Sequence, residues 1–322
     1  MRKSGRLSRT GCPIRLMDMD TATLISPATG ASAPVEPFLR LRPRLFGIAY
    51  RMLGIRADAE DIVQEAWLRW QNGGSADART PEAWLVTVVT RLAIDRLRGA
   101  QTQREHYVGP WLPEPLVEDM VASPESALEA VGDISTAFLL MLERLAPEER
   151  AVFLLAQVFD YDHAEVAAMV GKTEAACRKT LQRARERVRA ERPRFAVDRE
   201  LHLELLGRFM QASRSGDPAQ VQALLAADAT YAGDGGGKAR TTVRCVVGAD
   251  RVGRLVAGIE RKWMGADTRH DIVMVNGTPG LLTWRNGVPD AITSLHVVDG
   301  RIAAIYVVRN PDKLGGLSRV AG

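Results

Sequence analysis

Leu41, Leu45, Ile48 and Met52 recur three and four residues apart, the period that sets side chains on one face of an α-helix. The pattern returns from about Ala57 to Gln71, with Ile62, Val63, Ala66 and Trp70 inward. "NGGSADART" is a loop, and Pro81 then opens a third helix, to about Arg98, at the position where proline fits. Trp84, Val88 and Leu92 belong to its packed side. Three prolines in "YVGPWLPEPLVED" favour extended chain, so residues 99–124 read as a linker. Helical spacing resumes at Ser123-Pro124 and runs to about Pro193. Beyond Asp198 the period changes. Two short helices (about 198–214 and 217–226) precede the strand-like runs "ATYAG", "TTVRCVVG", "HDIVMVNG", "PGLLTWRNG", "ITSLHVVDG" and "RIAAIYVV", with a helix at about 248–264 among them. Helices on a meandering antiparallel sheet make an α+β domain. Residues 1–35 mix Ser, Thr, Pro, Gly and Arg without periodicity and read as a disordered extension.

A chain of 322 residues has room for two or three domains. Its 46% hydrophobic and 25% charged residues are ordinary for a folded protein. A net charge of +4 says little until the charges are located. Cys12, Cys177 and Cys245 are odd in number and far apart, which argues for a reducing compartment without a disulfide framework. No apolar run is long enough to span a bilayer, and the basic N-terminus lacks the apolar core of a signal peptide; the expectation is a cytoplasmic protein. The five histidines show no HExxH spacing and there is no CxxC pair, so no metal or other cofactor is expected.

The charge gathers on "DHAEVAAMVGKTEAACRKTLQRARERVR", residues 162–189. A short helix, a turn at Gly171 and a longer helix capped by Thr173 form a helix-turn-helix. Ala167, Gly171 and Cys177 fit its small residue, its turn glycine and its buried apolar position. Cys177, Leu181, Ala184 and Val188 share one stripe of the second helix. The other face offers Arg178, Lys179, Gln182, Arg183 and Arg185. Between Lys172 and Arg194 nine Lys or Arg stand against three Glu, which places the basic face on the helix that would enter a major groove.

"GDGGGK" at 233–238 suggests a phosphate loop but fails its tests. The glycine required five residues before Gly237 is Ala232, and Lys238 is followed by Ala239 rather than Ser or Thr. A tight loop between strands is the better reading.

"DAEDIVQEAWLRW", then "WLVTVVTRLAIDRLR", a linker, "LERLAPEERAVFLL" and the helix-turn-helix together resemble an extracytoplasmic-function (ECF) sigma factor of bacterial RNA polymerase. The resemblance covers about 36–194 and implies sigma region 2 at 36–99 and region 4 at 124–194. It implies that Asp58, Asp61, Gln64 and Glu65 dock on the β′ clamp helices of the polymerase core. Arg91, Asp95, Arg96 and Arg98 would help open and hold the −10 strand of promoter DNA, with Arg91, Asp95 and Arg98 on one stripe of their helix. Thr173, Arg178, Lys179, Gln182, Arg183 and Arg185 would serve the −35 element, base and phosphate contacts being inseparable at this stage.

The remaining chain, 198–322, resembles a SnoaL-like domain, a cone of the NTF2 type. The expected fold is therefore multidomain: two all-α sigma domains, region 2 a helical bundle and region 4 a helix-turn-helix, plus an α+β SnoaL/NTF2-like cone. "WLPEPL" (111–116), "DGGGK" (234–238) and "NPDKL" (310–314) match the sigma-J-like group, whose fused domain modulates sigma activity. This implies interdomain regulatory contacts at Trp111, Leu112 and Pro113, at Asp234, Gly235, Gly236, Gly237 and Lys238, and at Asn310, Pro311, Asp312 and Lys313. Whether the tail restrains or assists stays open, a separate anti-sigma factor is not required, and a small-molecule ligand in the cone remains possible. Tyr231, Asp271, Trp284 and His296 are the side chains that would line such a pocket. The expectation is a transcription factor and not an enzyme; the alternative is a helix-turn-helix regulator with a small-molecule-binding or, behind that, a catalytic C-terminal domain in which Asp271 or His296 would act as a general base.

Overall fold

The structure, a computed structural model, describes residues 35–74, 80–118, 134–189, 198–263, 265 and 267–319. The expected N-terminal extension up to residue 34, Cys12, the Ser123-Pro124 helix start and the close of the helical block after Arg189 lie outside them.

Helices α1 (Val35–Leu53), α2 (Arg56–Arg69) and α3 (Pro81–Glu105) form the first bundle. The apolar stripes of α1 and α2 are buried as their spacing requires. In α3 the stripe is rotated from the expected one. Leu85, Val86, Val89, Ala93, Ile94 and Leu97 are buried, while Trp84, Val88 and Leu92 are half-buried at its margin, because α3 is packed from two sides. On one side lie α1 and α2, on the other the later helices. α3 also runs past Arg98, so the extended linker is shorter than the prolines suggested.

The second set is α4 (Thr136–Leu142), α5 (Pro147–Gln157), α6 (His163–Val170) and α7 (Glu174–Arg189). Asp162 and Glu165 cap α6 reciprocally, and Gly171 ends it at φ +68°. Thr173 Oγ1 accepts from Ala176 N–H at 3.2 Å, capping α7 as expected. One continuous apolar core joins both helical sets, from Phe38 through Leu97 to Cys177 and Ala184.

Helices α8 (Arg199–Ser215) and α9 (Pro218–Leu224) lead into the sheet. Its strands are β1 (Val117–Glu118), β2 (Leu225–Asp234), β3 (Val246–Val247), β4 (Thr268–Val275), β5 (Thr278–Arg285), β6 (Val288–Val298) and β7 (Arg301–Val308), in the order β1-β4-β5-β6-β7-β2-β3. Asn276-Gly277, Asn286-Gly287 and Asp299-Gly300, all at positive φ, close the three hairpins of β4–β7. Three expectations are corrected here. β2 lies parallel to β7, so the sheet is mixed. "TTVRCVVG" gives only a two-residue strand, since residues 235–245 loop away from the sheet edge. The linker supplies a strand of its own, β1, antiparallel to β4.

Each face of the sheet is covered. One carries α8, α9 and α10 (Ala249–Trp263) over Leu281, Leu295, Ile305 and Val307. The other buries Val273, Leu282, Trp284, Ile292 and Val308 against Leu112 of the linker and Leu314 and Leu317 of the C-terminal turn, where α11 (Pro311–Leu314) lies. A two-faced apolar sheet needs both coverings, and the second is shared between the linker, outside the cone, and the C-terminal turn.

His202 of α8 is buried with its Nε2 lacking a partner. Burial pushes its pKa down from the ordinary 6.5 to about 4. The unfolded chain therefore binds this proton more tightly, and stability falls as pH drops through the window from 6.5 to about 4, by on the order of 3 kcal/mol. Urea unfolding at pH 7 and pH 4.5 should show that His202→Leu removes most of this slope; an unaltered slope would place the sensitivity elsewhere.

Candidate promoter and interdomain sites

On α7, Arg178, Lys179, Gln182, Arg183 and Arg185 are all exposed, opposite the buried Cys177, Leu181 and Ala184. Arg178 pairs with Glu174 one turn back, Gln182 bonds Glu186 at 3.0 Å and Arg185 reaches Gln157 at 3.0 Å. These are exposed contacts that a stronger acceptor such as phosphate can replace. A basic, solvent-facing helix behind a capped turn is the geometry that enters a major groove.

The α3 residues sit differently. Arg91 Nε donates to the Met169 carbonyl at 3.0 Å and its Nη2 to Ala168 at 3.3 Å, which caps the C-terminus of α6 with a cation. Arg98 reaches Glu148 at 2.5 Å, and Lys172 pairs with the same carboxylate. Those cations, Lys172 first, hold the Glu148 carboxyl below its usual range. Asp95 bonds Arg98. Arg96 turns to α2, 3.6 Å from Asp58 and 3.5 Å from Asp61. On the same α2 face, Gln64 is exposed and Glu65 pairs with Arg69 at 2.9 Å.

The third cluster joins linker, glycine loop and C-terminal turn. The Asp234 side chain is 0% exposed and Lys313 8%. Lys313 Nζ donates to Asp234 Oδ2 at 2.7 Å and to the Leu112 carbonyl, and lies 4.4 Å from the Trp111 ring centre. Asp234 also accepts from Leu112 N–H at 2.9 Å, from the Tyr107 hydroxyl at 2.5 Å and from Gly236 N–H at 3.0 Å. Burial, with that carboxylate as acceptor, pushes the Tyr107 phenol far up, so its proton stays on. Asn310 caps α11 through Asp312 N–H and donates to Tyr107 at 2.8 Å. Pro311 follows the cap at the first helical position, and Lys238 bridges to Asp312 at the surface at 2.6 Å. Gly236 has φ +60°, and a Cβ there would stand 2.3 Å from Asn310 Nδ2. Bare backbone is what this approach requires. Beyond the cluster, Trp111 lies over the α1–α2 turn, where a Cβ on Gly54 would stand 2.8 Å from its ring, and Pro113 is buried beside it.

Sequence reasoning missed several partners. Glu114 of the linker caps α2 by accepting from Arg56 N–H at 2.9 Å. Arg150 is buried and donates to the Met52 carbonyl at 2.6 Å, closing α1 from α5. Asn276, at the end of the strand-like run "HDIVMVNG" and first in an Asn-Gly turn, holds four segments. Its Oδ1 accepts from Leu116 N–H at 2.8 Å and lies 3.0 Å from the Tyr50 hydroxyl, while its Nδ2 donates to Thr136 at 3.3 Å; Thr136 in turn bonds Ser294 of β6. An Asn-Gly turn in the sequence signals φ > 0; nothing in it tells that the amide is buried. Asn276→Gly keeps the turn and removes the amide, and is expected to cost about 1–3 kcal/mol by leaving the buried Leu116 N–H without its acceptor, while the Tyr50 hydroxyl keeps the Glu114 carbonyl. Urea denaturation checks this; a loss under about 0.5 kcal/mol would mean water replaces the amide.

A cavity of ≈ 440 Å³ lies between α8, α10 and the sheet, lined by Phe209, Leu255, Ile259, Tyr231, Thr241 and Arg309 among others. Of the four expected lining residues only Tyr231 reaches it. Asp271 accepts from Trp284 Nε1 at 2.7 Å and pairs with Arg269, and His296 lines a separate small pocket with His202. They form no shared constellation.

Comparison with known proteins decides the family. The Sigma-70 region 2 family matches residues 38–103 and the Sigma-70 region 4 family residues 135–188. ECF RNA polymerase sigma factor SigJ of Mycobacterium tuberculosis is 42% identical over 293 residues, covering 88% of this chain and 93% of that protein. The chain belongs to the ECF RNA polymerase sigma factor family. Probable ECF RNA polymerase sigma factor SigI of M. tuberculosis is 31% identical over 283 residues, 87% of the chain and 94% of its own length. The crystal structure of M. tuberculosis SigJ superposes with a TM-score of 0.72 at 39% identity, covering 88% of this chain and 99% of that one. The sigma factor thus has the expected fold class, two helical sigma domains and an α+β cone, and among its described residues no helix is long and apolar enough to cross a membrane.

Proposed function

We propose that this sigma factor binds core RNA polymerase, directs initiation at its own promoters, and is held in a resting state by its C-terminal domain. Asp58, Asp61, Gln64 and Glu65 of α2 meet the β′ clamp helices. Arg91, Asp95, Arg96 and Arg98 of α3 hold the −10 strand, and the α7 face, with the Thr173 cap ordering its start, takes the −35 duplex. It works where the polymerase is, in the cytoplasm, without a metal or other cofactor, and catalysis is no part of the role. The domain limits that go with this reading are region 2 at 36–99, linker at 100–123, region 4 at 124–194 and cone at 198–322. The ≈ 440 Å³ cavity gives the cone room for a small-molecule effector.

The observation that carries the resting state is the double use of α3. Arg91 and Arg98 are spent on α6 and Glu148. The two promoter elements lie on the order of 70 Å apart at about 3.4 Å per base pair, whereas α3 and α6 touch and share one core. A chain in this state cannot serve both elements together. The cluster of Asp234, Lys313 and Leu112 holds the linker, with the glycine loop and Asn310, Pro311 and Asp312 around it. Run-off transcription with core polymerase tests this. A chain ending at Arg309 loses Lys313 and is expected to initiate more than the full chain in the absence of any signal. Equal activity would remove the cis restraint, and no initiation by either chain would remove the sigma role.

A further inference from the structure

The cavity in the cone has an uneven lining. Its walls are apolar, with Phe209, Leu255, Ile259, Leu281 and Ile305. Its charges are five cations, Arg214, Arg240, Lys262, Arg285 and Arg309, against the carboxylates of Glu260 and Asp290. The inner group is out of balance. Asp290 lies between two guanidinium groups, 2.7 Å from Arg309 and 3.4 Å from Arg285, each side chain about a quarter exposed or less. One carboxylate against two cations leaves a positive excess beside an apolar wall, where charge is poorly solvated. The Nε atoms of both arginines and the Ser213 hydroxyl of the same lining are buried without hydrogen-bond partners.

The cavity also shares its wall with the linker cluster. Arg309 is anchored at both ends. Its side chain holds Asp290 and, at 2.5 Å, the Arg240 carbonyl; its backbone N–H donates to the Asp234 carbonyl at 2.7 Å. The segment from Asp234 passes Gly236 against Asn310 and returns to the cavity at Arg240, Thr241 and Thr242. Gly109 of the linker faces the Thr242 carbonyl from outside, a Cβ there standing 3.7 Å from it. One loop therefore touches cavity and linker.

We propose that the cavity is an effector site for a monocarboxylate with an apolar body, whose carboxylate completes the charge of Arg285 and Arg309, and that occupancy is transmitted through Arg309 and residues 234–242 to the linker. The site rests on the reading of the cone as a cis regulator. Apolar walls bury the body of the ligand, the spare guanidinium charge selects an anion over an alcohol or an amine, and any shift of Arg309 toward the ligand moves the strand end that holds Asp234.

The test uses the full chain with hexanoate, decanoate and 2-naphthylacetate, each paired with the alcohol and the ammonium ion of the same skeleton, by titration calorimetry below micellar concentrations. At least one carboxylate is expected to bind tenfold or more tightly than its alcohol. Arg309→Gln should bring the acid down to the level of the alcohol. Ile259→Trp, which fills the cavity from α10 and leaves the arginines in place, should weaken both by tenfold or more. Hydrogen exchange at residues 107–112 should change at least threefold on binding. Equal affinity for acid and alcohol, a preference for the ammonium ion, or no binding at all overturns the site, and binding without altered exchange at 107–112 overturns the transmission. Either result leaves the regulation by the cone to the Arg309-terminated chain, whose unchanged transcription would strike at that reading alone.

Discussion

Lys313→Met is expected to destabilise the docked linker by about 3–5 kcal/mol, the usual cost of stripping one partner from a buried ion pair. The volume is nearly kept, so packing is a minor part of the loss. What remains is a fully buried carboxylate at Asp234 with three donors and no cation, together with a Leu112 carbonyl that has lost the ammonium. The quantity to follow is exchange of the Leu112 amide, which itself donates to Asp234. A loss of that size speeds exchange by on the order of a hundredfold or more. Asp234→Asn combined with Lys313→Met removes the charge imbalance and should recover part of the loss, and the double-mutant cycle gives the coupling. A loss below about 1 kcal/mol would show that water reaches the pair in solution.

Asp61→Arg with Glu65→Arg should abolish capture of the protein by core RNA polymerase, at least a hundredfold in affinity, while the fold survives. The two carboxylates belong to α2 and their partners Arg96 and Arg69 are exposed, pairs that contribute about 0–1 kcal/mol each. Reversal costs the fold little, yet changes the charge of the proposed docking face by four units. Far-ultraviolet circular dichroism and urea unfolding establish the fold, and pull-down by core polymerase reads the interaction. Retained capture would overturn the α2 assignment and favour a helix-turn-helix regulator that never joins the polymerase.

How far the sequence could be read follows from what each feature depends on. The helices and the hairpins of β4–β7 depend on local period and on turn chemistry, and Leu45, Ile48, Asn286 and Gly287 announce both. The exposed basic stripe of α7 is likewise local. The α3 margin, the parallel β2–β7 pair and the β1 strand depend on what lies against them, which period cannot report. The glycines of "DGGGK" signalled a close approach, but only the structure identifies Asn310 as the side chain against Gly236. Tyr107 carries no motif, and the motifs around Glu114, Arg150 and Asn276 do not name their partners; each matters through burial and a partner far away in the chain. Arg91 and Arg98 were legible as cations on a stripe; their present partners, on α6 and α5, were not.

The short strand β1 has a cost that appears only when the linker leaves. Its pairing with Val275 and Met274 covers the outer side of β4, next to Ile272, which is 40% exposed. Withdrawal of β1 would turn that side into an open strand edge with apolar flanks, the surface that recruits a second copy of the same strand. A chain with β1 withdrawn would then be prone to self-association, and its usable lifetime in that form would shorten as its concentration rises. The same two residues that extend the sheet cover the edge of β4.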